Sequence, residues 1–251
     1  MAIFGVIGLD ADDTLWHNER NYNQAQSEFA QILGQYHNED WVRERLYVTE
    51  TRNLEHFGYG IKSFILSMIE TAVELTEGRV TGQDIGRLVE LARGMINAPV
   101  ELLPGVAQAI PLLAEHHRLA LITKGDLLDQ ERKLENSGLA HYFSEVEVVS
   151  QKSPAVYAQL LRRFEVAPNR FVMVGNSLRS DVLPVLSLGG HGVHIPHETT
   201  WTHEQAELPR PGTPGFHSLT DFNGLPELLQ KLETGERFKK GSSNMADFTD
   251  L

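Results

Sequence analysis

The chain has 251 residues, a formal net charge of −12, an apolar content of 41% and no cysteine. This composition is typical of a globular protein with one large domain or two small ones. The net negative charge argues against nucleic acid as the main partner, since nucleic acids require a basic face, and the lack of cysteine excludes disulfides and thiolate metal sites. Because there is no apolar run of the length of a signal peptide or a membrane span, we expect a cytoplasmic protein that does not bind membranes.

The first predicted element is a buried strand from Ile3 to Asp10, since an apolar run here is followed by residues that are typical of turns. Three carboxylates follow within four positions, Asp10, Asp12 and Asp13, and Thr14 comes next. Carboxylates crowded at the end of a strand repel one another unless a cation or a proton neutralises them. On its own, this cluster could also be an ordinary Asp-rich turn.

The segment 17–97 contains helical patterns and no convincing strand. Apolar residues recur at spacings of three and four around Tyr22 to Leu33, as in an amphipathic helix. Three further helices are predicted, at Asp40–Tyr47, Phe64–Leu75 and Thr81–Ile96, with Thr81 as the capping residue of the last. A glycine-containing aromatic loop, 56–60, separates the second helix from the third.

From Pro99 onward, strands and helices alternate. The predicted strands after the first are Leu119–Thr123, Val146–Val149, Phe171–Val174 and Gly192–Ile195, each separated from the next by a helical pattern. Alternation of this kind predicts an α/β fold with a doubly wound parallel sheet of the Rossmann type. We therefore expect an α/β core made of residues 1–16 and 98–232, an inserted helical domain at 17–97 and a polar C-terminal tail at 233–251.

Polar side chains follow the predicted strands at the points where the strands end. Asp10 and Asp12 follow the first strand, Thr123 ends the second, Lys152 follows the third, and Asn176 and Asp181 follow the fourth. Parallel strands bring their carboxyl ends to one edge of the sheet, where ligands bind. Carboxylates suit Mg²⁺, whereas a hydroxyl, backbone amides and a lysine suit a phosphate group. Together they indicate phosphoryl transfer.

These residues resemble the motifs of the haloacid dehalogenase-like (HAD) hydrolase superfamily, of the phosphatase kind. The segment DADDT at 10–14 is similar to its D-x-D-x-T motif, and Thr123 stands where the second motif has Thr or Ser. Lys152, followed by Pro154, matches the third motif, and GNSLRSD at 175–181 matches the fourth. The helical insert after the first motif resembles the C1-type cap of the family.

The resemblance implies a role for each matching residue. Asp10 would attack phosphorus and form an aspartyl-phosphate, and Asp12 would serve as the general acid and base. The dehalogenases of the family lack an acid at this second position. Thr123, the amide of Lys124 and the side chain of Lys152 would bind the phosphoryl oxygens. Mg²⁺ would be bound by the following groups: the carboxylates of Asp10 and Asp181, the backbone carbonyl of Asp12, and Asn176.

One position departs from the family pattern, because Asn176 stands where the family usually has Asp. Its amide oxygen can still face a cation, but the lost charge predicts weaker Mg²⁺ affinity. The loop from His56 to Lys62, with Tyr59, is the candidate for substrate specificity. We expect a phosphatase for a small phosphorylated metabolite, as a monomer or a homodimer; a phosphomutase and a catalytically weak phospho-ligand-binding protein remain alternatives.

Overall fold

The computed structural model of the chain describes residues 3–235, and its sheet is parallel throughout. The strands are β1 (Val6–Leu9), β2 (Arg118–Lys124), β3 (Phe143–Val149), β4 (Phe171–Gly175), β5 (His191–His194) and β6 (Phe216–Ser218). They are arranged in the order β3-β2-β1-β4-β5-β6, and each neighbouring pair is parallel. The order reverses at β1, so a crevice opens where the carboxyl ends of β1 and β4 lie side by side.

Helices connect these strands and form the insert. They are α1 (Glu19–Leu33), α2 (Glu39–Phe57), α3 (Ile61–Leu75), α4 (Gly82–Ile96), α5 (Val106–Ala114), α6 (Leu127–Asn136), α7 (Pro154–Arg163), α8 (Leu183–Ser187) and α9 (Leu225–Thr234), with a π-helical turn at Leu178–Val182. The predicted α/β fold with a parallel sheet is thereby confirmed.

Both faces of β1 are buried, because helices cover the sheet on each side. Ile7 and Leu9 point to one face and pack in a cluster with Ile110 of α5. Val6 points to the other face and packs in a cluster with Leu160 of α7. Alternate residues of a strand face opposite sides, so a strand buried on both sides has to be apolar throughout. This explains why the end of β1 is where polar residues begin.

Helices α1 to α4 have a hydrophobic cluster of their own. Phe29, Leu46, Met68 and Leu88, one from each helix, are buried together in it. The side chain of Thr81 accepts the amide N–H of Asp84 and caps α4, as the sequence predicts. The insert therefore has a core that is separate from the two clusters of the sheet, and the division at 17–97 stays a prediction.

Several element boundaries differ from the sequence-based prediction. Helix α2 continues to Phe57, so His56 lies in its last turn, and Lys62 lies in the first turn of α3; the loop between them is only 58–60. Strand β6 was not predicted, because three residues give no usable alternation. The predicted tail begins too early, since α9 ends at Thr234, and 236–251 lies outside the described residues.

Among residues 3–235 we find no helix that combines the length and the apolarity needed to cross a membrane.

Candidate active site

A buried lysine joins two strand ends at the bottom of the crevice. Nζ of Lys152 lies 2.5 Å from Oδ1 of Asp10 and 2.7 Å from Oδ1 of Asp181. Lys152 is 6% exposed and Asp181 is 1% exposed. Asp181 can approach this closely because residue 175 is glycine: a Cβ there would lie 2.2 Å from Oδ2 of Asp181. Residues 142 positions apart in the sequence thus form one ion-paired cluster.

Burial and charge act in opposite directions on this cluster. Burial favours the neutral amine of Lys152, but the carboxylates of Asp10 and Asp181 outweigh it and raise the pKa of Lys152. Burial raises the pKa of Asp181 to about 7, although Lys152 opposes that rise. The two carboxylates therefore favour the charged form of Lys152, which faces the Asp10 carboxylate.

Asp12 lies on the other side of the crevice mouth, where three side chains hold it. Nε1 of Trp16 donates to Oδ1 of Asp12 at 2.8 Å, and Nε2 of Gln130 donates to Oδ2 at 2.8 Å. Nζ of Lys133 lies 3.1 Å from Oδ1. Gln130 and Lys133 both come from α6, so the helix after β2 fixes the orientation of this carboxylate. Because Lys152 contacts Asp10 and Lys133 contacts Asp12, the two carboxylates have different electrostatic partners.

Thr14 and Asp13 organise the turn after β1. Oγ1 of Thr14 donates to Oδ2 of Asp10 at 2.9 Å, and the amide N–H of Asn176 donates to the Thr14 hydroxyl at 3.1 Å. Asp13 has a φ of 57°, and its carboxylate accepts the amide N–H groups of Asn18 and Glu19 at the start of α1. Asp13 is thus a structural residue that links the strand end to the first helix of the insert.

The predicted phosphate-binding residues Thr123 and Lys124 end β2 on the same edge of the sheet. Thr123 is buried and lines the same cavity as Asp10. The side chain of Lys124 is already engaged: its Nζ lies 2.5 Å from Oε1 of Glu204 and 2.9 Å from Oγ of Ser180. Burial lowers the pKa of Lys124, and Glu204 opposes that effect. The ammonium group of Lys124 is therefore already paired, whereas the predicted phosphate donor at this position is its backbone amide.

Glu204 is a residue that sequence reasoning missed. Its carboxylate also accepts the hydroxyls of Ser177 at 2.7 Å and of Ser180 at 2.5 Å. Burial alone would raise the pKa of Glu204, but Lys124 and the two hydroxyls lower it to about 2. The segment between β5 and β6 thus connects the ends of β2 and β4. The sequence around position 204 carries no motif; only the fold brings it here.

A cavity of about 160 Å³ lies between these strand ends and helices α1 to α3. On the core side it is lined by the predicted site residues Asp10, Asp12, Thr123, Lys124, Lys152, Asn176 and Asp181. Tyr59 lines it from the insert, and its ring lies 4.1 Å from Nζ of Lys124. His56 is exposed and Lys62 pairs with Asp126 at 3.3 Å, and both lie outside the cavity lining.

The donor set at the strand ends fits Mg²⁺ in its chemistry. It offers carboxylate oxygens from Asp10 and Asp181 and an amide oxygen from Asn176, and hard cations prefer oxygen ligands. Within residues 3–235 no three His, Asp or Glu side chains form a complete metal cluster. Mg²⁺ commonly takes one or two protein carboxylates and completes its shell with water and substrate phosphate. The residues therefore fit a magnesium ion that depends on the substrate for part of its coordination.

The fold and the clustered polar side chains define a class of protein, an α/β protein whose candidate site lies at the carboxyl ends of β1 and β4, where open sheets of this kind bind ligands. A family model for haloacid dehalogenase-like hydrolases matches residues 4–189. The chain belongs to this family and is a hydrolase. A haloacid dehalogenase-like family hydrolase from Xanthomonas campestris is 42% identical, covers 93% of this chain and 94% of its own, and superposes with a TM-score of 0.82.

Two curated relatives are similar over shorter stretches. Glyceraldehyde 3-phosphate phosphatase of Methanothermobacter thermautotrophicus is 32% identical over 96 residues, which are 36% of this chain and 42% of the relative. N-acylneuraminate-9-phosphatase of Mus musculus is 25% identical over 174 residues, 65% of this chain and 66% of the relative. The chain thus spans less than two thirds of the length of these curated relatives.

Proposed function

We propose that this protein is a magnesium-dependent phosphatase that hydrolyses a small phosphorylated metabolite through an aspartyl-phosphate on Asp10. The observation that carries the proposal is the cluster at the strand ends, in which Lys152 joins Asp10 to Asp181 while Asp12 is held separately. Membership of the hydrolase family and the similarity to two phosphatases support the same activity.

In the first half of the reaction, a carboxylate oxygen of Asp10 forms a bond to phosphorus, and the bond from phosphorus to the leaving alcohol breaks. Asp12 gives a proton to the leaving oxygen. In the second half, water attacks the phosphorus and Asp12 takes its proton. The P–O bond to Asp10 then breaks, so the free carboxylate and inorganic phosphate are formed.

The remaining groups bind the phosphoryl group or screen its negative charge. The hydroxyl of Thr123 and the amide of Lys124 hold phosphoryl oxygens, and Lys152 neutralises charge where the dianion meets Asp10. Asp10, Asp181, Asn176 and the carbonyl of Asp12 would hold Mg²⁺, which supplies further charge neutralisation for the phosphate. Residues 17–97 act as a cap on a core formed by 1–16 and 98–232, and the cap excludes water from the cavity.

The test is hydrolysis of p-nitrophenyl phosphate with added Mg²⁺. We expect Asp10→Asn to lower kcat/KM by about 10³-fold or more, because the amide is a poor nucleophile. The matched control is Asp40→Asn, since Asp40 is exposed on α2, and it should retain the parental rate. Unchanged hydrolysis in Asp10→Asn would contradict the nucleophile assignment. No hydrolysis by the folded parent would favour a phospho-ligand-binding protein instead.

An assay of phosphate release from a natural phosphate monoester distinguishes a phosphatase from the alternative, a phosphomutase. A phosphatase releases inorganic phosphate with each turnover, whereas a mutase returns the phosphoryl group to a sugar.

A further inference from the structure

The insert side of the cavity carries two carboxyl groups, one partly buried and one buried, for which the reaction at Asp10 has no use. Glu19 lies in the first turn of α1, Glu50 lies in α2, and both line the cavity. Glu50 is 9% exposed. Within residues 3–235, neither carboxylate has a hydrogen bond or an ion pair. Two acceptors that lie beside a cavity are thus left without donors.

Buried carboxyl groups without partners are unfavourable as anions. Burial raises the pKa of Glu50 to about 8. Burial, Asp13 and then Glu50 raise the pKa of Glu19 to about 8. A neighbouring donor on α2 is used elsewhere, because Asn53 donates to Ser67 at 3.1 Å and to Glu70 at 2.6 Å. In the part of the chain that the structure describes, no side chain supplies these two groups with a counter-charge, so the free protein favours their neutral forms and a bound cation would stabilise the carboxylates.

The basic residues of the cavity lining are all on the core side. In the part of the chain that the structure describes, they are Lys124 and Lys152. Lys124 is paired with Glu204, and Lys152 is paired with both Asp10 and Asp181. The insert side consequently offers no cation to a second anionic group of a substrate. A carboxylate or a second phosphate on the leaving group would find no counter-ion there, whereas a cation would favour the ionised forms of Glu19 and Glu50.

We propose that Glu19 and Glu50 bind a cationic amino group on the leaving alcohol, so the substrates are phosphate monoesters of small amino alcohols. This inference rests on the proposed function, because it requires the phosphate to lie at Asp10. An ammonium group has three N–H donors and no acceptor, which matches two carboxylates that lack donors. The rings of Tyr22 and Phe64, 4.8 Å apart, line the same side and suit the methylene groups of such a substrate.

The test compares phosphate monoesters that differ in one terminal group: 2-aminoethyl phosphate, 2-hydroxyethyl phosphate and phosphoglycolate. We expect kcat/KM to be about 10- to 100-fold higher for the amine than for the hydroxyl analogue, as a charged hydrogen bond predicts, and lowest for the carboxylate. Glu50→Gln should reduce the amine-to-hydroxyl ratio by about 10-fold or more, through KM. The matched control is Glu55→Gln, because Glu55 is exposed on the same helix; it should keep the parental ratio.

The outcomes separate this inference from the proposed function. The protein could hydrolyse p-nitrophenyl phosphate and yet prefer none of 2-aminoethyl, 3-aminopropyl and 4-aminobutyl phosphate over its hydroxyl analogue. That result would overturn the inference and leave the proposed function standing. An undiminished ratio in Glu50→Gln would also overturn it. Glu19→Gln on α1 provides the same test if Glu50→Gln does not fold. No hydrolysis of any monoester by the folded parent would overturn the proposed function, and the inference with it.

Discussion

Replacement of Glu50 by glutamine should change how the stability of the protein depends on pH. Burial raises the pKa of Glu50 from 4.5 to about 8. The folded-state pKa lies above that of the unfolded chain, so the folded protein binds the extra proton between these values. The free energy of unfolding therefore falls as the pH rises from about 4.5 to about 8 and is level above it. Each pKa unit corresponds to about 1.36 kcal/mol, so the full loss is at most about 5 kcal/mol.

Urea unfolding at pH values from 5 to 8.5 measures this effect. Glu50→Gln should match the parent at pH 5 and exceed it by about 2–5 kcal/mol at pH 8.5, because the amide never ionises. Glu19 remains in the variant, so part of the parental slope remains as well. The exposed control Glu55→Gln should follow the parental curve. Parallel curves for parent and Glu50→Gln would refute the conclusion that the Glu50 carboxyl is buried without a partner.

Three further substitutions should change the stability of the protein, because each alters a contact that the structure shows. Lys152→Met leaves two buried carboxylates without their cation, so we expect a loss of about 3–5 kcal/mol in urea unfolding, and an unshifted midpoint would contradict the ion pairs. Glu204→Gln removes charged hydrogen bonds to a lysine and two serines, and should cost about 1.5–3 kcal/mol at pH 7; a parental unfolding curve would argue against the cluster. Gly60 has a φ of 118°, and a Cβ there would lie 2.7 Å from Oδ2 of Asp126, so Gly60→Ala should lower the stability by about 1–3 kcal/mol. Its control is Gly86→Ala in the interior of α4, where a Cβ would meet open space; it should raise the stability by about 0.5–1 kcal/mol in the same thermal melts. Stabilisation by Gly60→Ala and destabilisation by Gly86→Ala would contradict this backbone geometry.

The sequence was sufficient for the fold and for the strand-end residues, because these depend on local patterns. Apolar runs that end in polar residues predicted where β1, β2 and β4 end, and the parallel topology then predicted that Asp10, Lys152 and Asp181 would meet. The roles of these residues in catalysis stay predictions. Strand β6 was missed because its three residues depend on pairing with β5 and not on a periodicity of their own.

The residues that were missed are those whose partners come from other elements. Glu204 carries no motif, and its contacts with Lys124 arise only from the path of the chain between β5 and β6. In the sequence, Gln130 and Lys133 resemble ordinary polar residues of a helix, but in the structure both contact the carboxylate of Asp12. Glu50 lies in a helix rich in charged residues, and its burial depends on how that helix packs against its neighbours. Charge on a helix usually indicates a solvated face, so sequence reasoning has no signal for such an exception.

The central claim is that Asp10 becomes phosphorylated during turnover, and chemical trapping tests it most directly. The protein is mixed with substrate and Mg²⁺, quenched during turnover and reduced with borohydride, which converts an aspartyl-phosphate to homoserine. Peptide mass spectrometry then locates the product. The account predicts homoserine at position 10 in the substrate-treated protein and not in Asp10→Asn. Turnover with the phosphoryl group on another residue, or with no phosphorylated protein at any time in the reaction, would contradict it.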